Sequence, residues 1–144
     1  MRSIRVRLGA IIAMVVSTVG LGAAPARAAE GWSCSFPPPG YTFVGLRQLS
    51  GVCGSPWPTI QYNLRLPVDG LTACSVVEGW AVTSSRSSAN SCALTGTAFQ
   101  HKLATPVAGL WSCNVPRGWT YSQQRTATNV CGNGTFPMFQ LAPL

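Results

Sequence analysis

Hydrophobic and polar residues alternate with a period of two in several short segments after residue 30, which predicts β-strands. In segment 118–126, GWTYSQQRT, the alternation predicts one strand face carrying Trp119, Tyr121, Gln123 and Arg125. Two earlier segments predict equivalent faces, made of Tyr41, Phe43, Gly45 and Arg47, and of Trp80, Val82, Ser84 and Arg86. The first two positions of each face are apolar. We therefore expect each strand to begin in the core and to end at the rim with its arginine.

Each of these strands is flanked by two further strand signals. Segment 110–115, LWSCNV, predicts a short strand ahead of a turn that contains proline and glycine. Segments 59–67, TIQYNLRLP, and 97–106, TAFQHKLATP, predict a third strand that ends at the turns PVDG and PVAG. No segment after the N-terminal region has the 3.6-residue period of a helix. The pattern therefore predicts an all-β chain with three strands per repeat.

The segments recur because the chain contains three internal repeats of about 39 residues. The six cysteines form two series, Cys34, Cys74, Cys113 and Cys53, Cys92, Cys131. Glycines, arginines and glutamines follow the same step, at Gly40, Gly79 and Gly118, at Arg47, Arg86 and Arg125, and at Gln61 and Gln100, with Gln140 one residue late. We divide the chain into unit 1 (31–70), unit 2 (71–109) and unit 3 (110–144).

The repeat predicts an antiparallel meander in each unit and one compact body, since a unit of this size has too little core to stand alone. Two arrangements are open. The first is a pseudo-threefold domain that is β-trefoil-like in its repeat arithmetic only, because that fold uses four strands per unit. The second is an assembly of three β modules packed side by side. In either case residues 29–144 are expected to form a single disulfide-stapled domain.

The even cysteine count in a short exported chain predicts three disulfides. We predict the pairs Cys34–Cys53, Cys74–Cys92 and Cys113–Cys131, because a unit copied as a block should carry its own bridge. The competing pattern joins Cys53 to Cys74 and Cys92 to Cys113, and closes the ends with Cys34 and Cys131.

The N-terminal segment 1–28 is predicted to be a cleaved secretory signal peptide, typical of a bacterial protein. It has basic residues, then an apolar run, then the small-residue site Ala26-Arg27-Ala28. An uncleaved membrane anchor is the alternative, although the run is short for a bilayer span. We expect a secreted, extracellular chain that begins at Ala29 and has no membrane partner.

The charge balance argues against nucleic acid as a partner. Four of the ten basic residues lie in the N-terminal segment, which leaves six against three acidic residues, a net charge of +3. No cluster of lysine or arginine remains, whereas nucleic-acid affinity comes largely from many phosphate contacts.

Residues suited to catalysis or to metal binding are few. The segment after residue 28 has one histidine, His101, and three carboxylates, Glu30, Asp69 and Glu78, without a pair placed for acid and base work. A Ser-His-Asp set would need His101, Asp69 and an unmarked serine. The cysteines lack the close pairs of a zinc site. We therefore expect no enzyme activity, no cofactor and no metal.

The arginine series is the sharpest polar feature, because three scattered carboxylates cannot neutralise it. In the structural interpretation each guanidinium lies on the rim with its head in water, or is hydrogen-bonded to backbone carbonyls of the loop before the second cysteine. In the functional reading each unit has a pocket for a sugar or an acidic group, formed by an arginine and an aromatic residue. The candidate binding residues are Arg47, Arg86, Arg125, Tyr41, Trp80 and Trp119.

Two functional classes follow from these features. The first is a non-enzymatic binding module, lectin-like or specific for another exported protein, so that the expected partner is a carbohydrate or an extracellular protein. The second is a structural or inhibitory protein that resists proteolysis. Trp57, between two prolines, is expected in a loop. It is either exposed or, as we favour, a plug over one end of the core.

Overall fold

The structure of the chain, a computed structural model, describes residues 30–144. The predicted leader and its cleavage site lie outside the described residues. Within them the chain forms nine β-strands and no helix. The strands are β1 (Gly31–Ser33), β2 (Thr42–Leu49), β3 (Thr59–Arg65), β4 (Thr72–Ala73), β5 (Ala81–Ala89), β6 (Thr97–Ala104), β7 (Trp111–Ser112), β8 (Trp119–Thr128) and β9 (Thr135–Pro143). The all-β class and the three strands per unit are confirmed.

Each unit forms its own three-stranded antiparallel sheet, but the sheet is not a meander. The strand orders are β1-β3-β2, β4-β6-β5 and β7-β9-β8, so the third strand of each unit lies in the middle. The first and second strands therefore run parallel to each other on opposite sides of the third, and a tight hairpin cannot join them. The chain returns between them through a turn that holds Gly40 at a φ of 83° in unit 1. Alternation along one strand cannot reveal which strand is central.

A β-bulge interrupts the second strand of every unit. The register shifts by one residue between Phe43 and Leu46, and the same shift follows Val82 and Tyr121. An extra residue moves every following side chain of the strand to the opposite face of the sheet. The arginine of each strand therefore lies on the face opposite to Phe43, Val82 or Tyr121. The predicted single face, which placed both on one side, is wrong for this reason.

The core of each unit is built on the face that carries Phe43, Val82 and Tyr121, which we call the core face. The central strand contributes one fully buried leucine there, at Leu64, Leu103 and Leu141. In unit 2, Leu103 packs in a cluster with Ala73, Val77 and Val82. The opposite face carries Arg47, Arg86 and Arg125, and we call it the arginine face.

Between its arginine and its buried leucine, unit 3 is one residue shorter than units 1 and 2. The late position of Gln140 had suggested one extra residue instead. Opposite Arg47 and Arg86 lie Gln61 and Gln100, but Met138 lies opposite Arg125. Gln140 is instead the partner of Trp111. The glutamine series predicted from spacing therefore has only two members in the structure.

Consecutive units are joined by main-chain hydrogen bonds between their edges. The Cys74 N–H donates to the Phe43 carbonyl at 2.8 Å, and the Cys113 N–H donates to the Val82 carbonyl at 2.7 Å. Strand contacts between units therefore link β2 with β4 and β5 with β7. Among the strands of residues 30–144, none of unit 1 contacts one of unit 3. Closure into a pseudo-threefold body stays a prediction.

The three disulfides are confirmed as Cys34–Cys53, Cys74–Cys92 and Cys113–Cys131. Their α-carbons are 5.6, 5.2 and 5.4 Å apart, within the range that a bridge spans. The strand order explains the reach, because the first strand lies directly beside the third. The loop before the third strand can then fold over to the cysteine that follows the first. A meander would have left those segments two strand spacings apart.

Replacing Cys113 and Cys131 together by alanine should cost more stability than replacing Cys34 and Cys53. The bridges close loops of 18 and 19 residues, so chain entropy predicts a similar loss of about 3 kcal/mol for each. The bridge Cys113–Cys131 also holds the Cys113 N–H that donates to the Val82 carbonyl. Loosening that hydrogen bond should increase the loss of stability by about 1 kcal/mol. Urea unfolding of the two variants measures the difference, and equal losses would contradict this role of the bridge.

Candidate functional site

The arginine face of unit 2 gathers cationic and neutral polar side chains. Strand pairing places Thr72 and Ser84 on either side of Lys102, and places Arg86 opposite Gln100. All five lie on one face because positions two apart on a strand, and positions directly opposite across strands, share a side. Together with Gly70 they line a pocket of about 320 Å³. Its volume lies at the lower end of the range for small-ligand pockets.

The pocket exists because unit 2 lacks a tryptophan that the other units have. In unit 1 the Arg47 guanidinium carbon lies 4.1 Å from the centre of the Trp32 ring, and in unit 3 Arg125 lies 4.1 Å from the centre of the Trp111 ring. These are cation–π contacts. The corresponding position of unit 2 is Thr72. A threonine cannot cover the guanidinium of Arg86, and the space of the indole stays open.

The cations of the pocket have no carboxylate partner within residues 30–144. The ion pairs of this part of the chain join Arg65 to Glu30 at 3.7 Å and Arg117 to Glu78 at 2.7 Å, and both are exposed. Neither pair includes Arg86 or Lys102. The pocket therefore has positive potential, which suits a carboxylate or a sulfate group.

In unit 1, the environment of the arginine differs from that of Arg86 because a tryptophan covers it. Arg47 donates from Nε to Gln61 Oε1 at 2.8 Å while it stacks on Trp32. Gln61 is itself buried, and its amide nitrogen lies 3.6 and 3.8 Å from the sulfurs of Cys34 and Cys53. Arg47 is therefore part of the packing around the disulfide. The three arginines are equivalent in sequence position but not in environment.

The aromatic residues predicted to accompany the arginines occupy other places. Trp80 packs against the core cluster of unit 2. Trp119 opens β8 opposite Pro143, and Tyr41 is half-buried just before β2. The stacking residues are instead Trp32 and Trp111, which precede the first cysteine of their units by two positions. The change from WSC to TAC in unit 2 was the signal for the pocket in the sequence.

His101 lies on the core face, away from the pocket. Its Nδ1 lies 2.8 Å from Ser85 Oγ, and Ser85 is only 6% exposed. Asp69 does not join them, because its carboxylate accepts a hydrogen bond from the Thr105 N–H. The positions equivalent to His101 in units 1 and 3 are Tyr62 and Phe139. Ser85 and His101 thus form a half-buried polar contact in the sheet, and neither residue lines the unit 2 pocket.

Trp57 is 76% exposed in the loop between β2 and β3, so the prediction that it covers one end of the core is wrong. The flanking residues Pro56 and Pro58 are also exposed. The loop is tethered by the disulfide at Cys53, and the Trp57 N–H donates to Ser55 Oγ. The chain therefore presents a large aromatic side chain to solvent on a short, restrained loop.

Searches against models of protein families, against curated proteins and against solved structures returned no match for this chain. Two further features concern residues 30–144 as a whole. No three residues among His, Cys, Asp and Glu come close enough there to hold a metal ion. None of the same residues form a helix long and apolar enough to span a membrane.

Burial lowers the pKa of His101 below its ordinary value, which predicts a pH dependence of stability. As the pH falls from about 8 to about 5, the unfolded chain takes up the proton before the folded chain does. Stability should therefore decrease as the pH falls through the ordinary histidine pKa and level off below the folded one. Thermal unfolding of H101F, which carries the residue of unit 3, should lose this slope. An unchanged slope would mean that another group causes it.

Proposed function

We propose that this chain is a secreted, non-enzymatic binding module whose unit 2 pocket holds an acidic group of a carbohydrate ligand. The observation that carries the proposal is the pair of cations, Arg86 and Lys102, in a pocket that the other two units close with tryptophan. Three disulfides in a small domain are typical of extracellular proteins, which agrees with an exported partner.

The neutral groups of the pocket favour a sugar over a simple anion. The hydroxyls of Thr72 and Ser84 and the amide of Gln100 lie beside the cations, and each can both donate and accept. A uronate or sulfated sugar offers hydroxyls to such groups and an acidic group to the guanidinium. A bidentate contact from Arg86 would fix the orientation of that acidic group.

A single pocket of this size predicts modest affinity and strong dependence on salt. The cations are exposed, so screening by ions weakens their attraction for an acidic ligand. Binding does not require the three pockets suggested by the repeat, since Trp32 and Trp111 already cover the arginines of units 1 and 3. Specificity would then depend on one unit, and the two others would act as its scaffold.

Filling the pocket should abolish binding without removing a charge. The substitution T72W introduces the tryptophan that units 1 and 3 carry, and its ring should stack on Arg86. R86A should also weaken binding, by about tenfold or more, since a hydrogen bond to a charged group contributes roughly 1.5–3 kcal/mol. R125A is the matched control, because Arg125 lies under Trp111. Glycan arrays with acidic and neutral sugars, followed by calorimetry, measure these effects.

The results separate the proposal from its competitors. Binding of acidic but not neutral glycans, lost in T72W and R86A and kept in R125A, supports it. Equal loss in R86A and R125A would indicate a general effect of positive charge. The chain could instead bind no glycan but capture an acidic extracellular protein, and lose that capture in R86A. This result would indicate a protein ligand for the pocket.

The loop that presents Trp57 favours a second candidate, inhibition of a protease. An exposed side chain held on a loop that a disulfide restrains can enter the specificity pocket of a protease. Prolines on both sides fix the backbone φ at their own positions and stiffen the loop. This candidate uses no residue of the unit 2 pocket.

A panel of proteases that accept aromatic residues tests the second candidate. The intact chain should slow hydrolysis of a small substrate, and W57A should lose the effect with its thermal unfolding unchanged, because Trp57 is exposed. R86A is the control and should inhibit as the parent does. Rapid cleavage of the loop by the same proteases would rule the candidate out.

A further inference from the structure

Two joints, the hydrogen-bonded edges between units 1 and 2 and between units 2 and 3, use equivalent main-chain atoms. In the first joint the Phe43 carbonyl accepts the Cys74 N–H, and in the second the Val82 carbonyl accepts the Cys113 N–H. A second bond runs the other way, from Leu46 N–H to the Ser91 carbonyl at 3.2 Å in the first joint. Each unit therefore offers one kind of edge to the unit before it and another to the unit after it.

Within residues 30–144, both end units carry the atoms of a joint that no other described unit uses. Tyr121 has the position of Phe43 and Val82, and Cys34 has the position of Cys74 and Cys113. Within residues 30–144, neither the Tyr121 carbonyl nor the Cys34 N–H hydrogen-bonds outside its own sheet. The two end edges are therefore complementary to each other in the way that internal edges are.

Exposure shows what a following unit would cover. Phe43 is 8% exposed and Val82 is 3% exposed, whereas Tyr121 at the same position is 49% exposed. Residues 121–126 of β8 are exposed without interruption. An edge strand with free main-chain groups is a template for pairing with another chain unless charges or prolines protect it. In residues 119–128 of β8, the only charged residue is Arg125 and there is no proline.

Side chains at the two ends also match the first joint. There, Thr42 Oγ1 donates to the Ser75 carbonyl at 2.8 Å and lies 2.9 Å from Ser75 Oγ. The end edges carry Thr120 at the position of Thr42 and Ser35 at the position of Ser75. The second joint instead uses Asn114, so this match repeats the first joint only.

We propose that the chain associates head to tail, with β8 of one copy bound to the Cys34–Ser35 edge of a second copy. The Cys34 N–H of the second copy then donates to the Tyr121 carbonyl of the first, and Thr120 contacts Ser35. Such a contact joins two different surfaces, so it continues into an open array or closes into a ring. The occupant is a second copy because it carries the edge that already binds the equivalent strand twice.

The joint between copies is expected to be weaker than the internal joints. Its second bond would use the Val52 carbonyl, which already accepts the Ser55 N–H at 3.1 Å. No covalent connection holds the two copies together, whereas the internal joints form within one chain. Association should therefore rise with concentration. This proposal is independent of the proposed function, because the unit 2 pocket does not include the end edges.

Sedimentation of the purified, disulfide-bonded chain over a range of concentrations tests the proposal. The parent should show a mass that grows with concentration. T120K and S35K each place a long charged side chain at one end and should each stay monomeric. T97K is the control, because Thr97 is an exposed residue of the central unit. Thermal unfolding confirms that each variant is folded.

Mixing the two end variants distinguishes head-to-tail association from a symmetric contact. S35K keeps an intact β8 edge and T120K keeps an intact Cys34 edge, so an equimolar mixture should form dimers of one chain of each kind and nothing larger. A parent that stays monomeric at every concentration overturns the proposal. Association of S35K alone also overturns it, because β8 would then pair with β8. Monomers in the mixture, with an associating parent, exclude this joint as well.

Discussion

The central position of the third strand in every unit is the constraint on which the rest of the structure depends. Both other strands pair with it, so the first strand lies next to the loop that precedes the third. That proximity lets the two cysteines of a unit meet. It also frees the outer edge of the second strand, where the next unit binds. Disulfide, sheet and joint follow from one choice of strand order.

Much of this architecture could be predicted from the sequence, because the same pattern occurs in three internal repeats. The cysteine series favoured the pairing Cys34–Cys53 and its counterparts, since a unit copied as a block should carry its own bridge. Alternation of residues such as Trp119 and Tyr121, which share a face, located the strands. These features are local to one unit, and local patterns are what a single sequence records.

Other features depend on pairing between strands and could not be predicted in the same way. Strand order is set by which edges bond, and alternation along β2 or β5 is the same in either order. The bulge after Val82 adds one residue, and a shift of one residue moves Arg86 to the other face. The predicted pockets combined each arginine with Trp80 or its equivalents for this reason. The threonine that breaks the tryptophan series was visible at Thr72, but its meaning required the register.

The unit 2 pocket shows how one different side chain in a repeat can open a cavity that the other copies fill. Trp32 and Trp111 satisfy their arginines within the fold, whereas Thr72 leaves Arg86 and Lys102 to the solvent. The core of unit 2 does not include this position, because Thr72 lies on the arginine face, away from the fully buried Leu103. The proposed binding surface of unit 2 and its buried leucine therefore lie on opposite faces of the same small sheet.

The bonds that join the units run between main-chain atoms, and this bears on how such a chain can change in length. A carbonyl and an N–H are present whatever the side chain, so the bond from Cys74 to Phe43 and that from Cys113 to Val82 form between different residues. A gene rearrangement that inserts or deletes one whole unit keeps a donor edge at one end and an acceptor edge at the other. Each unit also brings its own covalent staple. The number of units can therefore change without a change in the main-chain bonds that form a joint.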